Sequence, residues 1–257
     1  MALLHAKPPQ LAIEGLKVQA AKGRTLLDVA QLTVRAGQSI AISGPSGAGK
    51  STLLMALAGL TKHTSGTVQW GASDIIACSE REKARLRRTL MGFVFQDYLL
   101  FEELSALDNA AIDACYAPKA RRAEIYERAA HLLELLGLKD TMRRSVASFS
   151  GGERQRVSVA RALSHDPAVL LADEPTASLD RTTADRLIED LLSLTECQGK
   201  TLLVVSHDSQ LIRLLQRRLH VEEGRIVQDN LHDAASLANY RPADAQAVIN
   251  ESEGLGL

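Results

Sequence analysis

The chain has 257 residues, 46% hydrophobic and 24% charged, enough apolar material to bury about 70 to 75% of its unfolded surface without a metal or disulfide staple. Its 30 basic and 31 acidic residues leave a net charge of -1, which gives no basic footprint for nucleic acid. No apolar run approaches the roughly 18 residues needed to cross a bilayer, and Cys78, Cys115 and Cys197 lack zinc or C-x-x-C spacing, so the expected setting is a reducing compartment, the cytosol. Met1 to Gln10 has no long apolar core behind a basic start, and no leader peptide is expected there.

Strand-like and helix-like segments alternate, the pattern of parallel strands covered by helices on both faces. Leu11, Ile13, Leu16 and Val18 open a β-like section that continues over Leu26 to Val34. Gly37 turns the chain into Gln38 to Ser43, which reads as a buried strand, and Thr52 to Leu60 is a continuous helix-forming run. Arg81 to Arg88 reads as a solvated helix face, and Met91 to Phe95 as a further strand. Helical spacing then dominates over Ala106 to Tyr116, Ala120 to Gly137 and Glu153 to Leu163, with breaks at Pro118 and Gly137. Strands return at Ala168 to Ala172 and Thr201 to Ser206 around a helix from Thr183 to Thr195, an order that implies a right-handed crossover. The expected organisation is one α/β domain over 1–228, with a core lobe of 1–96 and 165–228, a helical lobe of 97–164, and a weakly patterned tail over 229–257. There is no internal repeat and no low-complexity tract.

Between the buried strand and the helical run lies Gly44-Pro45-Ser46-Gly47-Ala48-Gly49-Lys50-Ser51-Thr52, which fits G-x-x-x-x-G-K-[ST]. Its four fixed positions arise by accident in roughly one chain of this length and composition in a hundred, so the strand-turn-helix setting decides in its favour. Glycines let successive N–H groups curl around β- and γ-phosphates, and the following helix points its positive end at them. Lys50 adds a point charge and Ser51 offers a hydroxyl to Mg²⁺, so a nucleoside triphosphate with magnesium is the expected ligand.

Val169 to Glu174 reads as a buried strand ending in two carboxylates. Taken alone, Asp-Glu-Pro is an ordinary strand exit. Beside a phosphate loop, Asp173 is placed for a water-mediated Mg²⁺ contact and Glu174 to orient or deprotonate the attacking water. Ser150-Gly151-Gly152-Glu153 makes a capping box, which accounts for its ends but not its middle. Two glycines in a first helical turn cost on the order of 1 kcal/mol each against alanine, unless a group such as phosphate must approach the backbone closely. A second anion-binding helix start, far along the chain, suggests two surfaces that sandwich one nucleotide, and one chain has difficulty supplying both. Read alone, Gln96 is a turn residue and His207 a loop histidine, and His165 and His220 have no chemical role.

Phosphate loop 44–51, Gln96, Phe149-Ser150-Gly151-Gly152-Glu153-Arg154-Gln155, Asp173-Glu174, Ser178-Leu179-Asp180 and His207 together resemble, in order, the ATP-binding cassette family, over Leu11 to Val227. The resemblance implies a P-loop NTPase with a RecA-like parallel-sheet core, an N-terminal antiparallel β section and a helical subdomain. It implies a homodimer, head to tail around two ATP molecules, that drives a transmembrane permease subunit and sits peripherally on the inner face of the cell membrane. By the same resemblance Gln96 reaches Mg²⁺ and links the lobes, Ser150, Gly151 and Gly152 hold the partner's ATP, Asp180 lies at the dimer interface, and His207 contacts the γ-phosphate.

Phe95 to Tyr98, Leu107 to Asn109, Gly151 to Val157 and Ala172 to Thr176 look most like bacterial cassettes of the lipoprotein-release, macrolide-export and division-associated group. Two departures stand out. Phe101-Glu102 replaces an apolar residue followed by proline, and no Phe, Tyr or Trp precedes Trp70 to stack on adenine, so that Leu16, Val18 or Ala20 is expected to cover the base with weaker discrimination or binding. The alternative is a non-transport, division-type cassette that signals through a membrane partner. Chromosome-type and two-cassette translation factors are disfavoured by the absence of a long heptad insert and by the chain's length, and a kinase would leave the Gly-Gly surface without a task.

Overall fold

The computed structural model describes residues 8–21, 23–177, 179–196 and 199–231. Along the chain run β1 (Leu11–Gln19), β2 (Thr25–Val34), β3 (Ser39–Ser43), α1 (Lys50–Leu57), β4 (Thr64–Trp70), β5 (Ser73–Asp74), α2 (Glu80–Leu90) and β6 (Met91–Val94). They are followed by α3 (Ala106–Ala110), α4 (Lys119–Leu135), α5 (Gly151–Ser164), β7 (Val169–Asp173), α6 (Arg181–Glu196), β8 (Thr201–Val205), α7 (Ser209–Leu214), β9 (Arg217–Glu222) and β10 (Arg225–Leu231).

Alternation in β1 buries Leu11, Ile13, Leu16 and Val18 and leaves Glu14 and Lys17 in solvent, so one face of an antiparallel sheet, ordered β2-β1-β4-β5, turns inward. The second sheet is ordered β10-β9-β3-β8-β7-β6, with β9, β3, β8, β7 and β6 parallel and β10 antiparallel on the edge. Its central strands β3, β7 and β8 are buried throughout, as apolar runs covered on both faces require. Their side chains part by period two. Ile40, Ile42, Leu171, Leu203 and Val205 join α1 and the antiparallel sheet in one core, while Ala41, Leu170, Ala172, Leu202 and Val204 face the core that contains α3, α4, α5 and α6. The α/β class with an antiparallel β section and a helical portion is as expected.

The helix expected over Ala106 to Tyr116 stops at Ala110 and resumes as a 3₁₀ turn over Ile112–Cys115. The strand β10 crosses residue 229 and ends at Leu231. Ser178, Cys197 and the segment 232–257 lie outside the described residues. Among the described residues no helix is long and apolar enough to cross a membrane.

Candidate functional site: a phosphate loop against paired carboxylates

The loop leaves β3 through Gly44, whose φ of 144° brings its backbone so close to the next strand that a Cβ there would stand 2.0 Å from the Val221 carbonyl oxygen. No L side chain fits that position. At the far end Gly49, with φ 102°, is the N-cap of α1, and no side chain caps its first turn. Those leading amides remain aimed into the loop, where the helix end favours negative charge. The β9–β10 turn props the loop from behind: the Gly224 N–H donates to Ala48 O at 2.8 Å, and the Asp28 N–H on β2 donates to Gly224 O at 2.7 Å.

Lys50 is 6% exposed, and its Nζ donates to the carbonyls of Gly44 and Pro45, both at 2.9 Å. Its charge is therefore held inside the curl of the loop. Ser51 Oγ donates to Asp173 Oδ1 at 3.1 Å, joining the loop to the end of β7. Burial pushes the Asp173 carboxyl above its ordinary range, against the Ser51 hydrogen bond and the Lys50 charge. Glu174 follows with a left-handed φ of 48°, fixed by its N–H to Val205 O at 2.9 Å on β8. Burial raises its pKa too, while the neighbouring His207 and Lys50 work the other way and Asp173 adds to the rise. His207 Nε2 lies 3.3 Å from Glu174 Oε1, and the His207 N–H donates to Glu174 Oε2 at 3.4 Å.

A cavity of about 550 Å³ brings together Ser46, Gly47, Lys50, Ser51, Gln96, Glu174 and His207. Asp173 reaches this group through Ser51. A second cavity, of about 440 Å³, shares Gly47, Lys50 and Ser51, adds Ala48, Gly49 and Thr52, and extends past the loop to Arg24, Thr25, Leu26 and Glu223. Ser150, Gly151, Gly152 and Asp180 line neither cavity. Ser150 instead caps α5: its hydroxyl accepts from the Glu153 N–H at 3.3 Å, and the Glu153 carboxylate receives the Ser150 N–H at 2.8 Å. Asp180 plays the same part for α6, accepting from the Thr183 N–H at 3.1 Å and the Thr183 hydroxyl at 2.7 Å, and these bonds lower its pKa.

Two corrections follow for the base. Leu16 is 0% and Val18 2% exposed, because both point into the core between the sheets, so neither can cover a base. Arg24, Thr25, Leu26 and Glu223 line the space beyond the loop, and the spacing of the β1–β2 ribbon gave no sign of it. Arg181 was also missed. It enters the first cavity and pairs with Asp208 at 3.1 Å and Asp185 at 2.6 Å; only its i,i+4 relation to Asp185 was visible beforehand.

A G-x-x-x-x-G-K-S loop seated between a buried parallel strand and a helix, with the strand-end carboxylate of Asp173 bonded to it, defines a P-loop nucleotide triphosphatase. The family model described as ABC transporter matches residues 27–177. The chain is 43% identical over 207 residues to a lipoprotein-releasing system ATP-binding protein LolD of Oleidesulfovibrio alaskensis, which covers 80% of this chain and 87% of that protein. It is 40% identical over 240 residues to a macrolide export ATP-binding/permease protein MacB of Burkholderia thailandensis, a match that takes in 91% of this chain and 36% of that protein. The solved dimer of the ATP-binding cassette MJ0796 in a post-hydrolysis state with ADP and phosphate superimposes with a TM-score of 0.78 at 30% identity, over 86% of this chain and 98% of that one. The chain belongs to the ABC transporter family, as its ATP-binding, ATP-hydrolysing subunit. The non-transport alternative is not favoured by these relatives.

Proposed function

We propose that the chain is the motor subunit of a release or export system, a single cassette of core and helical lobes on the inner face of a membrane, where it works beneath a transmembrane permease. Two copies close head to tail on ATP. The observation that carries the catalytic part is the convergence of Lys50, Ser51, Gln96, Glu174 and His207 on one cavity, with Asp173 bonded to Ser51.

The residues present fit Mg²⁺. Ser51 and Asp173 supply hard oxygen donors side by side, and among the described residues no group of three His, Cys, Asp or Glu forms a closed metal cage. That is the donor set of an ion that takes one or two protein oxygens and fills its shell from phosphate and water. Ser51 and Gln96 would hold it, with Asp173 acting through water, and when bound it would neutralise charge building on the phosphates.

The chain's own groups do the rest. Loop amides and the Lys50 ammonium bind the β- and γ-phosphates, and the α1 N-terminus favours their charge. Glu174, its carboxylate partly withdrawn from water and therefore more basic than an exposed one, orients and deprotonates the attacking water. His207, in contact with Glu174, reaches the γ-phosphate. Ser150, Gly151 and Gly152 of one copy meet the γ-phosphate held by the other, with Asp180 at the interface, so ATP binds the closed pair better than the open one and shifts the equilibrium to closure.

The test is size-exclusion chromatography with light scattering on Glu174→Gln in ATP and magnesium. A stable dimer is expected, dispersed by EDTA. If that variant stays monomeric when saturated with ATP, both alone and with its membrane partner, the reading fails.

A further inference from the structure

Just past Gln96 two consecutive non-glycine residues, Tyr98 (φ 57°) and Leu99 (φ 50°), hold the left-handed backbone conformation. Side chains of L residues enter that region at a cost, so such a pair persists where surrounding contacts over-determine it. Local turn bonds take the two N–H groups, Tyr98 to Phe95 O at 3.2 Å and Leu99 to Asp97 O at 2.5 Å, and one side chain holds both carbonyls. The half-buried Arg161 on α5 donates from one guanidinium nitrogen to Leu99 O at 2.6 Å and from the other to Tyr98 O at 2.7 Å. A planar fork suits two adjacent carbonyls as a lysine point charge does not.

The segment is tied to the helical portion again further on. Asn109, fully buried, accepts from the Phe101 N–H at 2.8 Å and donates to Phe101 O at 2.9 Å. Arg154, also on α5, pairs with Glu102 at 3.4 Å. The helix that begins at Ser150-Gly151-Gly152 therefore grips the chain leaving Gln96 at two points, Arg161 and Arg154. Arg161 lines neither cavity at the phosphate loop and has no part in the chemistry described above.

We infer that Arg161 is a positioning residue: it locks the strained Tyr98–Leu99 backbone to α5, so that Gln96 and the Gly-Gly turn move as one body. Leu99 and Phe101, each 55% exposed, form the outer end of this linkage, and a displacement there carries to both nucleotide-contacting elements. The inference rests on the cassette reading for its catalytic consequence; the clamp itself does not.

The experiment compares the full chain with Arg161→Lys, Leu99→Gly and the double variant, by amide hydrogen exchange over 97–103 and by ATP kinetics. In Arg161→Lys, exchange over that segment rises and kcat falls, each about tenfold, with the ATP KM held within about twofold because the phosphate loop is untouched. Adding Leu99→Gly, which takes a positive φ without strain, restores protection and most of kcat. Leu99→Gly alone raises the thermal midpoint at unchanged kcat, an arm that stands even if Arg161→Lys folds poorly. Unchanged exchange and kcat in Arg161→Lys, a kcat loss that Leu99→Gly does not recover, or a lowered midpoint in Leu99→Gly alone overturns the inference. A wild-type chain that neither binds nor hydrolyses ATP sinks the cassette reading instead, and the exchange comparison still decides the clamp.

Discussion

The helices α1 and α5 both present an N-terminus suited to an anion, and they complete it in opposite ways. At α1 the N-cap is Gly49, without a side chain, and the first amides are left to a ligand. At α5 the N-cap Ser150 and the third residue Glu153 close a reciprocal box, so that turn already holds a carboxylate. Bonds from Ser150, the backbone one first and the hydroxyl second, hold Glu153 below the usual glutamate range. Under the proposed function the contrast gives the two ends different work: the open one would grip phosphate unaided, whereas the capped one would engage a nucleotide already held elsewhere.

Mutation at the open end should give the largest effects. Lys50→Ala removes the buried ammonium that the loop encloses, and the ATP dissociation constant should rise about 100-fold or more, read by isothermal titration, since charge-assisted phosphate contacts are among the strongest available. Retained submicromolar binding would mean that the backbone alone supplies the grip. Glu174→Gln should slow hydrolysis by about 10² to 10⁴, the range of a lost general base, while ATP binding persists; turnover at the normal rate would show that another group takes the proton.

At the capped end the comparison predicts a split. Ser150→Ala should cost about 1 kcal/mol of stability through the lost cap, visible as a thermal midpoint about 2 to 4 °C lower. The same variant should bind ATP as a monomer normally and fail to dimerise on it. Equal damage to binding and dimerisation would erase the distinction between the two helix starts.

The smallest effect concerns stability against pH. Burial raises Glu174 above the ordinary glutamate value of 4.5, so the folded chain holds this proton to higher pH than the unfolded chain does. Stability from this group therefore grows as pH falls through the raised value, and the ionised carboxylate subtracts from stability above it. Glu174→Gln should accordingly melt on the order of 2 °C higher than wild type at pH 8, with the gap closing toward pH 4, in differential scanning fluorimetry. A gap that widened in acid would contradict the burial argument.

What was legible in the sequence was local. The phosphate loop, the apolar strands β3, β7 and β8, and the capping box each declare themselves within a dozen residues. The strand β9 did not, because Arg217-Arg218-Leu219-His220-Val221-Glu222 looks like surface. It sits beside β3 because only Leu219 and Val221 face the core, while Arg217 is neutralised by Asp229 and Arg218 donates to Ser43. Leu16 and Val18 were misplaced for a related reason: alternation tells which residues share a face, not which face looks toward the ligand. Arg161 was invisible because nothing in Tyr98-Leu99 signals a left-handed backbone, which is ordinarily read from glycine.

The support that Val221 and Gly224 give to the phosphate loop has a consequence for synthesis. A ribosome releases Gly44 and Ala48 long before it reaches the hairpin that braces them. The nascent polypeptide therefore acquires its ATP seat late, once almost the whole domain has emerged, and shortened products ending before residue 224 should bear the loop's sequence without its hold on nucleotide.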